Sequence, residues 1–106
     1  MRTITIPAAD YCRIVEYNDT YFFRHSPVEE GDDIMAQEEV AIVPHATYET
    51  LVAALVHTHY TADAETAIIA NYLADPDNVV HRAEFEQYQA WRAEVKTACK
   101  EYFNID

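Results

Sequence analysis

His57 and His59 stand two residues apart in VHTHYTADAE, Val56 to Glu65, and are followed closely by Asp63 and Glu65. Imidazoles and carboxylates are the donor types of a divalent metal such as zinc, and His81 could add a third ligand from further along the chain. Such a site needs extended backbone at the joint, because residues two apart on a helix point about 200° away from each other. A zinc-protease helix would instead carry its histidines four apart around a Glu, and no such pair occurs. The same residues also have local roles. If one helix ends near His57, its imidazole lies at the negative end of that helix dipole. Asp63 and Glu65 then lie in the first turn of the next helix, where anions are favoured, with Thr61 as the cap. A helix joint is the expectation, and a metal site at His57, His59 and His81 is the alternative.

The remaining chemistry-bearing residues read as structural. Cys12 and Cys99 are far apart with no CxxC, so they are expected to be buried and reduced; a disulfide between them is the other reading. Cys99 falls on the apolar seam of a helical pattern, where a thiol acts as a small hydrophobe rather than a nucleophile. The pairs Glu29-Glu30, Asp32-Asp33 and Glu38-Glu39 lack the spaced ligands of a calcium loop and are expected to face water. A single glycine, Gly31, excludes phosphate loops and dinucleotide fingerprints. No catalytic residue is assigned, no cofactor is expected, and an enzyme is not the favoured reading.

Elements to position these residues follow from periodicity. RTITI (2–6), YCRIVEY (11–17), TYFFRH (20–25) and EEVAIVP (38–44) are short β-rich runs, while SPVEEGDD (26–33) reads as a polar loop. Beyond Pro44 the period becomes helical. Tyr48, Leu51, Val52, Leu55 and Val56 form one stripe capped by Thr47. Ala64, Ala67, Ile68 and Tyr72 form a second, stopped by Asp75-Pro76-Asp77. A third helix over about 80–103 carries Phe85, Tyr88, Val95, Cys99 and Tyr102 on one seam, with Trp91 beside it. With 106 residues and half of them hydrophobic, one domain is expected over 1–106, β-rich over 1–44 and helical over 45–106. The fold class is α+β: a small, mainly antiparallel sheet packed on one face by three C-terminal helices.

Asn18-Asp19 is a two-residue hairpin signal. It pairs Tyr17 with Thr20, Val15 with Phe22 and Arg13 with Arg24 on one face, and Glu16 with Tyr21, Ile14 with Phe23 and Cys12 with His25 on the other. Opposed arginines are destabilising in a core. The second face is therefore expected to meet the helices, and Tyr11, Arg13, Val15, Tyr17, Phe22 and Arg24 to form an outer, aromatic interaction surface.

The formal charge is −12, from seven Lys+Arg and nineteen Asp+Glu. It is shared evenly between 1–46 and 47–106 and repels phosphate backbones and anionic membranes. Neither direct nucleic-acid binding nor membrane binding is expected. MRTITIPAAD has no long apolar segment, and a cytoplasmic location, or association with a virion, is expected. HYTADAETAIIANYLADPD and EFEQYQAWRAEVKTACKEYF, within residues 45–103, resemble helix pairs of small uncharacterised proteins from gut-bacterial genomes, some in prophage-like regions. That resemblance implies an accessory or virion-assembly role and brings no catalytic residue. The leading functional expectation is a non-enzymatic interaction or assembly protein acting through the sheet face or by self-association. The alternatives are an acidic DNA mimic that occupies a basic nucleic-acid-binding protein, and a metal-dependent enzyme at the His57/His59 joint.

Overall fold

The computed structural model describes residues 1–105. Four strands form one antiparallel sheet in the order β1-β4-β3-β2: β1 is Arg2–Pro7, β2 is Ile14–Tyr17, β3 is Thr20–Glu30 and β4 is Asp33–Ile42. Three helices follow, α1 (Tyr48–Val56), α2 (Ala62–Ala74) and α3 (Val79–Phe103). The α+β class and the helices-after-sheet order are as expected from the change of period at Pro44.

The β2–β3 hairpin has the register read from the sequence, with Tyr17 opposite Thr20, Val15 opposite Phe22 and Ile14 opposite Phe23. Asn18 and Asp19 take φ of 49° and 64°, the two positive values a type I′ turn demands, and both residue types tolerate them. The polar stretch 26–33 is not a loop. β3 runs on to Glu30, turns at Gly31-Asp32, and returns as β4 from Asp33. Pro27 is accommodated because the register shifts between His25 and Val28, a bulge, with Ser26 at a φ of 54°. β2 pairs β3 no further than Phe23, so past the bulge one edge of β3 has no strand on it, and a residue without an N–H is tolerated there.

The helices cover one face. Ile14, Tyr21 and Phe23 from the sheet pack with Leu51, Leu55 and Val56 of α1 and with Tyr88, Trp91, Val95, Ala98 and Cys99 of α3. The α3 seam is thus largely as expected, but Phe85 is only half-buried and Tyr102 is 37% exposed. Thr47, Thr61 and Asn78 cap the three helices by accepting hydrogen bonds from backbone N–H groups of the first turn. α2 packs chiefly on α3 and buries no residue fully; Ala67, expected inward, is exposed. The Cα radius of gyration, 15.5 Å, exceeds the roughly 13 Å of a compact chain of this length. The excess fits a helical hairpin, α2 with the start of α3, that leaves Leu73, Val79 and Val80 exposed.

Candidate functional site

Strand alternation splits the Glu38-Glu39 doublet, and both halves are buried, at 1% and 2% exposure. The expectation that this pair faces water is overturned. A strand turns successive side chains to opposite faces, so Glu38 joins the face away from the helices and Glu39 the face beneath them. Each acid is then matched by a different kind of base.

On the outer face the register sets Arg24 and Arg2 on either side of Glu38. Arg2 donates from Nε to Glu38 Oε1 at 2.6 Å and Arg24 from Nε to Oε2 at 3.2 Å. The opposed arginines of the hairpin are also relieved, because Arg13 reaches Glu101 of α3 at 3.5 Å. Beyond this polar row the cross-strand partners are apolar. Val15, Phe22 and Val40 form one row, and Tyr17, Thr20 and Ile42 the next. Tyr17, Val40 and Ile42 are exposed, while Val15 and Phe22 are half-buried. The six residues read as an interaction surface therefore fall as follows. Val15, Tyr17 and Phe22 sit together in these rows; Arg24 is tied to Glu38; Arg13 is tied to Glu101. Tyr11 precedes β2 and donates its hydroxyl to the Arg24 carbonyl at 3.4 Å. Val40 and Ile42 complete the rows. Sequence reading missed them because the β3–β4 register depended on a turn, Gly31-Asp32, that lay inside the supposed loop.

On the inner face Glu39 lies among histidines. His25 and His59 each place Nε2 2.8 Å from Glu39 Oε2. A carboxylate only accepts, so each imidazole donates its Nε2–H. Burial alone would raise the Glu39 pKa; the two histidines outweigh it and hold the carboxyl below its ordinary range. His25, directly under the helices, is 5% exposed, and its Nδ1 faces Ser26 Oγ at 3.1 Å. The His59 ring stacks on the Trp91 indole, with centroids 3.7 Å apart and planes 4° apart. Trp91 is itself fixed by donating Nε1–H to the Val56 carbonyl at 3.3 Å. β3, β4 and the α1–α2 joint thus each supply one ring or carboxylate, and α3 supplies the wall.

The joint itself divides its two histidines. His57 turns to Glu65, Nε2 to Oε1 at 2.7 Å, so the cationic helix end and the acidic helix start of the sequence reading meet directly. His81 stands in the first turn of α3, its backbone N–H held by Asn78. His57, His59 and His81 do not form the metal set that spacing alone allowed. The potential donors that converge among the described residues are His25, Glu39 and His59. His25 and Glu39 carried no sequence signal beyond lying in β-forming runs, since only the β3–β4 register brings them together.

Neither thiol is set up for chemistry in the way of a paired cysteine. Cys12, expected buried, is exposed: it precedes β2, which begins only at Ile14. Cys99 is buried, and burial pushes its thiol up to about 12, which leaves it protonated and inert at neutral pH. No protein-family model, curated protein or solved structure matches this chain. No helix among the described residues is long and apolar enough to cross a membrane.

Proposed function

We propose that this chain is an assembly protein that associates with a second copy of itself through the outer face of its sheet. The observation that carries the reading is the pair of apolar rows, Val15-Phe22-Val40 and Tyr17-Thr20-Ile42, on a sheet face bearing no helix. Contiguous exposed apolar surface of this kind marks sites of association.

Charge favours a second copy as the occupant. The molecule carries −12, yet the outward side chains beside these rows include Arg2 and Arg24, and the acid between them, Glu38, is buried and paired with both. This face is therefore where two such acidic molecules repel each other least. Two rows of three residues are far fewer than the roughly 20–30 residues per side of a tight complex, so the association belongs to the weak, reversible class.

Salt separates this reading from a basic partner. Screening the net charge leaves apolar contact intact, so self-association strengthens as ionic strength rises, whereas capture of a basic protein weakens. The experiment is light scattering across a concentration series, with the parent and the double variant Phe22→Glu, Val15→Glu. A parent that dimerises, more so at high salt, and a folded double variant that stays monomeric are expected. A parent that is monomeric throughout, or a variant that associates as the parent does, overturns the reading.

A further inference from the structure

We infer that His25, Glu39 and His59 form a binding site for one divalent transition metal ion of the zinc type. Three donor atoms, two imidazole nitrogens and one carboxylate oxygen, lie within 4.8 Å of one another. Two imidazoles and one carboxylate are a donor set suited to zinc, with a fourth position left for water. Tetrahedral bonds of about 2.0–2.1 Å place donors about 3.4 Å apart. The two nitrogens, at 2.8 Å from Glu39 Oε2, therefore need to part from it by only about half an ångström.

The surroundings are those of a held site rather than of a chance surface cluster. The side chains of His25 and Glu39 are 5% and 3% exposed, whereas that of His59, at 29%, opens the cluster to solvent on one side and gives an ion its entry. Trp91 fixes the plane of the His59 ring by stacking, and so fixes the direction in which its Nε2 points. Ser26 does the same for His25. In the metal-free state the Ser26 hydroxyl donates to Nδ1 and Nε2–H donates to Glu39. On metal binding the imidazole proton passes through solvent from Nε2 to Nδ1, Nε2 turns its lone pair to the ion, and Nδ1–H donates to Ser26 Oγ. His59 makes the same exchange, its proton passing through solvent from Nε2 to Nδ1, so that no net proton leaves either imidazole. A hydroxyl that can reverse its role is the outer partner a metal-bound imidazole needs. The single negative charge of Glu39 leaves the loaded site at +1, which the −12 of the molecule offsets.

The test is calorimetric titration of the full chain with Zn²⁺, with Co²⁺ as a visible-absorption probe of nitrogen and oxygen coordination. One equivalent should bind, and the melting temperature should rise on loading. His59→Gln, at the half-open position, keeps the fold and should weaken binding roughly a hundredfold or more, beyond the 10–100-fold cost of losing an outer partner. His57→Gln and Cys12→Ser should bind as the parent does. Absence of a one-to-one Zn²⁺ isotherm in the parent, a parental isotherm in a folded His59→Gln, or loss of binding in His57→Gln or Cys12→Ser overturns the assignment.

Discussion

Tyr88 and Glu65 join α3 to α2 by a hydroxyl-to-carboxylate hydrogen bond, and His57 holds the other oxygen of the same carboxylate. Burial raises the Tyr88 pKa and the neighbouring carboxylate raises it further, to about 12. Burial would also raise that of Glu65, but the bonds from Tyr88 and His57 prevail and lower it. The signs set two pH limits. Tyr88, with a raised folded value, contributes stability that is complete below about pH 10 and is lost as pH rises towards about 12. Glu65, with a depressed folded value, contributes stability present above the ordinary carboxylate range and lost as pH falls through its folded value. Tyr88→Phe removes the hydroxyl and leaves a poorly solvated carboxylate, at an expected cost of about 1–3 kcal/mol near neutrality. In melts recorded from pH 7 to 12 the variant should also lack the part of the alkaline decline due to this group. An unchanged alkaline profile would show that the bond contributes nothing.

Among the helices, α3 contributes most to the core, and Val95 on its inner face has no exposed surface. Val95→Asp loses roughly 1.5–3 kcal/mol of apolar burial and adds the larger cost of enclosing a carboxylate without a partner. Against a stability of roughly 5–15 kcal/mol, loss of the cooperative melt is the expected outcome. Parental melting would contradict the packing described. Elements of this kind were legible in the sequence because a heptad-like step and a cap act locally: Thr47 and Thr61 announce two helix starts, and Tyr88, Val95 and Cys99 the buried side of α3. The Asn18-Asp19 turn was legible for the same reason. What escaped were pairings across chain distance. β4 could not be registered while 26–33 looked like a polar loop, so Glu38 and Glu39 read as one acidic surface pair instead of two buried groups on opposite faces. The histidine pair was read at its helix joint, where His57 does belong, but the carboxylate and imidazole facing His59 come from strands some twenty and more residues earlier.

At the scale of the molecule, stability is unevenly distributed. α2 buries nothing fully and α3 begins with the exposed pair Val79 and Val80, whereas the second half of α3 closes the core. Amide exchange should therefore be faster through residues 62–74 than through residues 88–99, since opening the outlying hairpin exposes little that was dry. Equal protection of both segments would mean that the whole chain opens only at once. The Glu38-Glu39 doublet has its own consequence for the sheet. Slide β4 by one residue and only one of the two matches survives: Glu39 meets the arginines while Val40 meets the histidines, or Glu38 meets the histidines while Gln37 meets the arginines. Either slip leaves one cluster of polar side chains without its carboxylate. The turns act in the same direction, with left-handed residues at Asn18, Asp19 and Gly31, and so does the small Ala41 opposite buried Tyr21, where a slip would bring a larger neighbour. The doublet thus works as a two-sided key that turns in one alignment of the strand and jams in the next.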